Sequence, residues 1–364
     1  MKIALVLAAA AGIAAVPSVA AGASVAYIEG GNVWLSSPDG AQKVQLTTNG
    51  TPARPWLGVA QAGDGRTVAV YNDDPNGNAR NQRIKVWDRL GNEIKDLTLQ
   101  STQGTYGPPV RPLAFEITDD GEVTANEYSY CSGAFPCGSI VRGTWYTTTN
   151  TDFGLTPPFD TPGARQGTFF GRRLVYSDGN AISVQKAPNA PFTNDADAWI
   201  NPGGPTTHLM RADIPAGGGK VAIDAIIGPA NVISVLPYSG DAGTGTLNPA
   251  AGCDMPGAGN AHSVAWSPDG TLIAWRDDAG LKVAGAPVLP SLTDDCTLSS
   301  PAVVISAVPA KDSPDSKAQG VYLTTVGPSF GGADVGAILA ARQPAPPAPA
   351  PAPPAPAPAP TPAP

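Results

Sequence analysis

The chain has 364 residues, of which 42% are hydrophobic and only 14% charged, and its formal net charge is −8 at pH 7. Its few Lys and Arg are scattered through an acidic chain, which excludes the basic face that nucleic acid or anionic lipid would require. Sparse charge, 42 glycines and repeated Val and Ile runs suit a sheet-rich protein and not a helical one.

In chain order, the first predicted element is a leader. Met1–Lys2, the apolar run Ile3 to Val16 and the small-residue ending PSVAAGA read as a signal peptide over residues 1–21, with Ser18 and Ala20 where a signal peptidase prefers them. That run is short for a spanning helix, and no later segment is apolar for long enough. The expectation is an exported chain, periplasmic, cell-wall-associated or secreted, with no transmembrane span in its mature form.

From residue 24 onward one pattern recurs: alternating apolar residues, a short polar turn ending in Gly, then a second alternation. Its clearest copy is HSVAWSPDGTLIAW, with the turn glycine at Gly270. Degraded copies place that glycine at Gly65, Gly121, Gly171 and Gly219, giving intervals of 56, 50, 48 and 51 residues. A second turn, after the Val33-Trp34 and Val86-Trp87 pairs, has its glycine at Gly40 and Gly91, again 51 residues apart. Proline fixes φ early in such a turn, Asp269 can accept nearby backbone amides, and Gly270 accepts φ above zero, so SPDG is read as turn grammar rather than as a ligand site. Two hairpins per period make a four-stranded unit, and units repeating every 50 residues or so predict a β-propeller.

The first unit, SVAYIEG, begins one strand into the pattern. Its missing strand would come from residues 321–340, just before the Pro-rich tail, and would close the ring. The predicted fold is therefore all-β, a propeller over residues 24–340 with six four-stranded blades closed by C-terminal strand(s). Seven blades is the alternative, because residues 297–340 hold more chain than one closing strand needs.

Four cysteines, Cys131, Cys137, Cys253 and Cys296, are an even set in an exported chain and favour disulfides. Three pairings are open in principle; the spacing favours Cys131 with Cys137 and Cys253 with Cys296. Only the first pair is close enough for a zinc site, and His208 and His262 are the only histidines. No cofactor is predicted. A divalent cation such as calcium is left open by the acidic pairs Asp73-Asp74, Asp119-Asp120, Asp277-Asp278 and Asp294-Asp295, yet the Asp74, Asn76, Asn78 loop has Lys85 where the twelfth ligand should be. GPSFG at 327–331 matches G-x-S-x-G, but no His follows Ser329, so ring closure is the preferred reading. Trp56, Trp145, Trp199, Trp266 and Trp275 are read as packing between blades before sugar platforms. Residues 343–364 hold 12 of the chain's 40 prolines and are read as an extended Pro/Ala spacer, or else a ligand for Pro-binding modules.

VAWSPDGTLIAW, and the order "strand, NVW, SPDG turn, VQLT", resemble the WD40-like (PD40-type) repeats of the TolB-like six-bladed propellers. The resemblance spans residues 24 to 340, with only the Gly270 unit spelling the motif in full. It implies an envelope or extracellular propeller that binds partners in its funnel or on a face. No α/β domain precedes the repeats, which sets the chain apart from TolB itself. The expected function is a binding or scaffolding module, a monomer with an unidentified protein or glycan partner. The alternative is a propeller hydrolase or lactonase acting on an extracellular small molecule or glycan.

Overall fold

A turn that ends in a left-handed residue reverses the chain within two or three residues, and a Gly there avoids the Cβ clash that any other residue meets. Gly40, Gly65, Gly91, Gly171, Gly219 and Gly270 all adopt positive φ, between 60° and 95°. Four of the turns close with the same bond, from the glycine N–H to the carbonyl three residues before it. At Gly270, its N–H donates to Ser267 O at 2.8 Å and Ser267 N–H to Leu272 O at 3.0 Å; Gly40, Gly65 and Gly91 repeat the first bond. Asp269 accepts the Ser267 hydroxyl at 2.6 Å and Thr271 N–H at 3.0 Å, and Asp39 does the same for Ser37 and Ala41.

The computed structural model describes residues 23–51, 54–72, 82–98, 111–118, 123–130, 138–145, 160–162, 165–177, 179–187, 198–202, 207–228, 230–256, 261–291, 293–308 and 327–343. Its strands form six sheets. The first holds β1 (Ser24–Glu29), β2 (Asn32–Ser36) and β3 (Lys43–Gln45). The second runs β4 (Trp56–Gln61), β5 (Thr67–Asn72), β6 (Gln82–Trp87) and β7 (Glu93–Thr98). The third runs β8 (Arg111–Ile117), β9 (Val123–Tyr130), β10 (Gly138–Trp145) and β11 (Asp160–Pro162). The fourth runs β12 (Arg165–Phe170), β13 (Arg173–Ser177), β14 (Ile182–Val184) and β15 (Ala198–Ile200).

In the fifth sheet β16 (Thr207–Asp213), β17 (Lys220–Ile227), β18 (Ala230–Ser239) and β19 (Thr246–Leu247) are joined by β20 (Cys253–Asp254), which pairs with β18. The sixth runs β21 (His262–Trp266), β22 (Leu272–Asp277), β23 (Gly280–Gly285) and β24 (Val303–Ser306). Finally β25 (Ser329–Gly331) pairs antiparallel with β1 and completes the first sheet, and the helix α1 (Val335–Arg342) follows it.

Each sheet touches the next, the sixth touches the first through β21 and β25, and the ring is closed. The core accordingly lies in the seams between sheets. Val25, Tyr27 and Phe330 of the first sheet pack on Ala265, Ala274 and Ile305 of the sixth. Trp266 and Trp275 pack on Ile233 and Val235 of the fifth. A strand covered on both faces has no reason to alternate, and β1 is buried at five consecutive positions. The inner strands β4, β8, β12, β16 and β21 each carry a register shift against the strand beside them. Such bulges add local twist.

Two expectations are corrected. Five blades have four strands, not six; the remaining sheet has five, because β20 is drawn onto β18 while Cys253 is bonded to Cys296. The chain is also not purely β. Of residues 321–340 only Ser329–Gly331 is a described strand, and Val335–Arg342 is helical, capped by Asp334, whose side chain accepts Ala337 N–H at 2.9 Å. The leader, Gly121, Cys131, Cys137 and residues 344–364 lie outside the described residues.

Candidate functional site

The innermost strands of the six sheets surround a central channel, and a cavity of about 50 Å³ opens at one end of it. Its lining comes from every sheet: Ser329 of β25, Gln61 of β4, Ile117 of β8, Thr168 of β12, Arg211 and Asp213 of β16, and Ala265 and Trp266 of β21. The rim is built from the turns that follow these strands, with Pro215, Ala216, Ser267 and Pro268. The SPDG turn thus forms part of the mouth, while Asp269 is spent on its own turn. Burial works against ionisation there, but hydrogen bonds from Ser267 and Thr271 hold the carboxyl below its usual range.

Most polar groups around the channel join one sheet to the next. Gln61 N–H donates to Ser329 Oγ at 2.9 Å, and the Gln61 amide oxygen accepts the Ser24 hydroxyl at 2.8 Å. Thr168 Oγ1 donates to Ala212 O at 2.7 Å. Asp213 Oδ2 accepts Trp266 N–H at 2.7 Å. Farther along the same seam Asp224 Oδ2 accepts Ser263 N–H at 2.7 Å. Ser263 sits at φ 62°, the only positive φ outside glycine among the described residues. Burial pushes the Asp224 carboxyl up to about 7, against the pull of the Ser263 N–H and of Arg211.

Buried or half-buried cations also fasten the seams. Arg276 Nε donates to Gly327 O at 3.0 Å, tying the sixth sheet to the chain entering β25; burial pulls its guanidinium down to about 10, with Glu29 and Tyr27 opposing. Lys220 Nζ donates to Gly270 O at 2.7 Å and lies 4.3 Å above the Trp266 ring. Arg173 reaches Asp241 at 2.9 Å and Ala242 O at 2.6 Å.

Cys253 and Cys296 form a disulfide with Cα atoms 4.9 Å apart. Ser329 lies in the closing strand, buried, with the role of a seam acceptor. The glycines of GPSFGG have a steric reason: a Cβ on Gly331 would stand 2.2 Å from Gln61 Cγ, and one on Gly65 would stand 2.6 Å from Gly332 O. His208 is exposed, whereas His262 is buried beside Ser263, Nδ1 to Oγ 3.3 Å. Trp56 and Trp275 are buried, Trp56 stacked on Tyr71 and Trp87, and Trp199 is half-buried against Tyr238. Trp266 alone of these lines the cavity. Asp277 is paired with Lys282 at 2.5 Å, and the backbone of Asp294 accepts from Asp254. Trp145, Asp73, Asp74, Asn76, Asn78, Asp119 and Asp120 fall outside the residues whose side chains are described. Among the described residues no three His, Cys, Asp or Glu side chains converge as metal ligands, and no helix is long and apolar enough to cross a membrane.

Sequence reading missed Arg211, Asp213 and Gln61. A usable signal was present: Gln61, Ile117 and Trp266 each stand four residues before a turn glycine (65, 121 and 270), so that offset marks the channel wall.

No family model matches the chain, and no curated protein sequence matches it. Among solved structures it is similar to TolB from Acinetobacter baumannii, with 14% identity and a TM-score of 0.48 over 76% of this chain and 65% of that one, so it spans less than two thirds of the TolB chain. It is similar to a chain of the nidogen/laminin complex, with 10% identity and a TM-score of 0.47 over 72% and 89% of the two chains. It is also similar to the periplasmic gluconolactonase PpgL of Pseudomonas aeruginosa, with 13% identity and a TM-score of 0.45 over 80% and 84%.

Proposed function

We propose that the chain is an exported propeller that binds a partner at the mouth of its central channel, as a binding or scaffolding module of the cell envelope or the extracellular space. The observation that carries this reading is how the polar groups of the channel are used. Thr168, Asp213 and Ser329 bond to a neighbouring sheet, and Asp224, the carboxyl poised near neutrality, is wholly buried in a seam away from any substrate. Groups that hold a ring together are poorly placed to move protons, because acid–base work needs contact with the reacting atom. The rim turns, by contrast, present Ala216 to solvent around a recessed opening. Export is supported by the leader-like residues 1–21 and by the Cys253–Cys296 bond, since disulfides persist in oxidising compartments.

The test is spatial. A photocrosslinking residue at Ala216, on the mouth, is expected to give discrete adducts with envelope or extracellular material. One at the exposed Ile227, where β17 has run to the opposite end, should not. Equal labelling from both ends would remove the mouth as the binding place. Turnover of a lactone or glycan that survives purification and is lost on a single substitution at Arg211 would replace this reading by an enzymatic one.

A further inference from the structure

The outer strand of the sixth sheet differs from the other sheet edges. In β24 the consecutive side chains of Val303 and Val304 are 40% and 48% exposed, and Val308 just beyond is exposed as well. They are neighbours on a strand, so one stands on each face. No charged residue occurs between Cys296 and Lys311. The outer strand of the second sheet, β7, is guarded by Glu93 and Asp96, paired with Lys85 and Arg83, and β3 of the first sheet is packed by α1. Native sheets protect their edges with charge or cover, so an uncharged valine edge marks a contact surface.

That edge adjoins the first sheet. Val303 Cγ1 lies 3.8 Å from where a Cβ on Gly40 would stand, and Lys43 Nζ donates to Ile305 O. Ile305 belongs to the seam against which the half-buried Trp34 packs. The tail leaves α1 at the same place: Arg342 Nη1 donates to Gln45 O, and Gln45 is paired with Trp34 and stands two residues along β3 from Lys43. Residues 344–364 lie outside the described residues; they hold 12 prolines and no charged side chain. At about 3.1 Å per residue they reach roughly 65 Å, several times the length of the four-residue β24.

A Pro-rich chain is prearranged in an extended form and packs on aromatic and apolar side chains. Its carbonyls can accept from the outward N–H groups of an edge strand, while its prolines offer no donors for a further strand. Neither surface carries a charge that the contact would have to bury.

We propose that residues 344–364 fold back along β24 and cover Val303, Val304 and Trp34, so that the propeller is itself the module its Pro/Ala tail binds. This contact is separate from the channel mouth and does not rest on the reading given to it.

The test is photocrosslinking in the full chain, with adducts mapped by mass spectrometry. A photocrosslinking residue in place of Val304 should join residues 344–364 within one molecule, at a yield unchanged by dilution. One in place of Ile94, 43% exposed on β7, should not, although α1 packs on the second sheet as well. In the reverse direction, a crosslinker in place of Ala348 should reach residues 43–45 and 303–308. Val303→Glu with Val304→Glu should cut those adducts several-fold, because the tail would then have to cover two charges. Should that double variant fail to fold, Val304→Glu alone carries the same expectation. Two-chain adducts that fade on dilution would assign the edge to a second copy and overturn the proposal. Equal adducts from Val304 and Ile94, no tail adduct from Val304, or an unchanged yield from Ala348 in the glutamate variant would each overturn it too.

Discussion

At the scale of single residues, the seam between the fifth and sixth sheets concentrates the unusual features. Ser263 occupies left-handed backbone space, which costs a non-glycine residue about 1–2 kcal/mol, and its N–H is held by the buried carboxyl of Asp224. Asp224 is raised to about 7 in the folded protein, whereas an unfolded Asp titrates near 3.9. The native state therefore holds this proton more tightly than the unfolded chain does. The contribution of Asp224 to stability is fully present below the unfolded value and is lost as pH rises through about 7. Asp224→Asn keeps an oxygen for Ser263 N–H and cannot titrate. Urea midpoints of the two proteins should stand in a fixed relation near pH 4 and diverge toward pH 8, with the variant gaining relative to wild type. A difference that stays constant across that window would show that this carboxyl does not titrate there.

At the scale of elements, β20 is a two-residue strand that owes its place to what surrounds it. Asp254 N–H bonds to Asp294 O at 2.7 Å, Cys296 N–H to Asp254 O at 2.8 Å, and the disulfide fixes the same two segments, so the outer rim of the fifth sheet is joined to a loop of the sixth. The linked residues are 43 apart in the chain, and closing a loop of that size is worth about 2–4 kcal/mol through the unfolded state. Replacing Cys253 and Cys296 by Ala should lower stability by that amount in denaturant titrations, and dithiothreitol should lower wild type by at least as much. An unchanged midpoint in the reduced protein would contradict this account. These elements also mark where the sequence was legible. Hairpins were, because each turn glycine and its flanking alternation are local. β20 was not, because two residues carry no period. Nor was α1, where Val335 and Ile338 are the only buried residues of its eight and the cap on Asp334 reads like one more loop.

At the scale of the whole molecule, the repeat length that revealed a propeller also hides its joints. Lys220 meets Gly270 at a separation of 50 residues, Arg276 meets Gly327 at 51 and Trp266 meets Asp213 at 53, so each seam partner sits roughly one repeat away. Nothing local distinguishes a cation that will be buried in a seam from one left in water. The Arg211 that lines the channel was invisible for the same reason, whereas the closing strand was legible because the first unit lacked its inner member. That closure is the step on which the ring depends. β25 fills the inner edge beside β1, Phe330 packs into the seam between the sixth and first sheets, and Gly327 O receives Arg276. Phe330→Ala should cost about 3–5 kcal/mol, as expected for a buried Phe. Ending the chain at residue 326 removes all three contacts and bares the edge of β1, so the single cooperative transition should be lost. A synthetic peptide of residues 327–343 added in trans should raise the melting temperature of the shortened protein with saturable concentration dependence, because a partner that binds only the folded form stabilises it by mass action. A shortened chain that melts where the full chain does, with no response to the peptide, would mean that the ring is held by its seams alone.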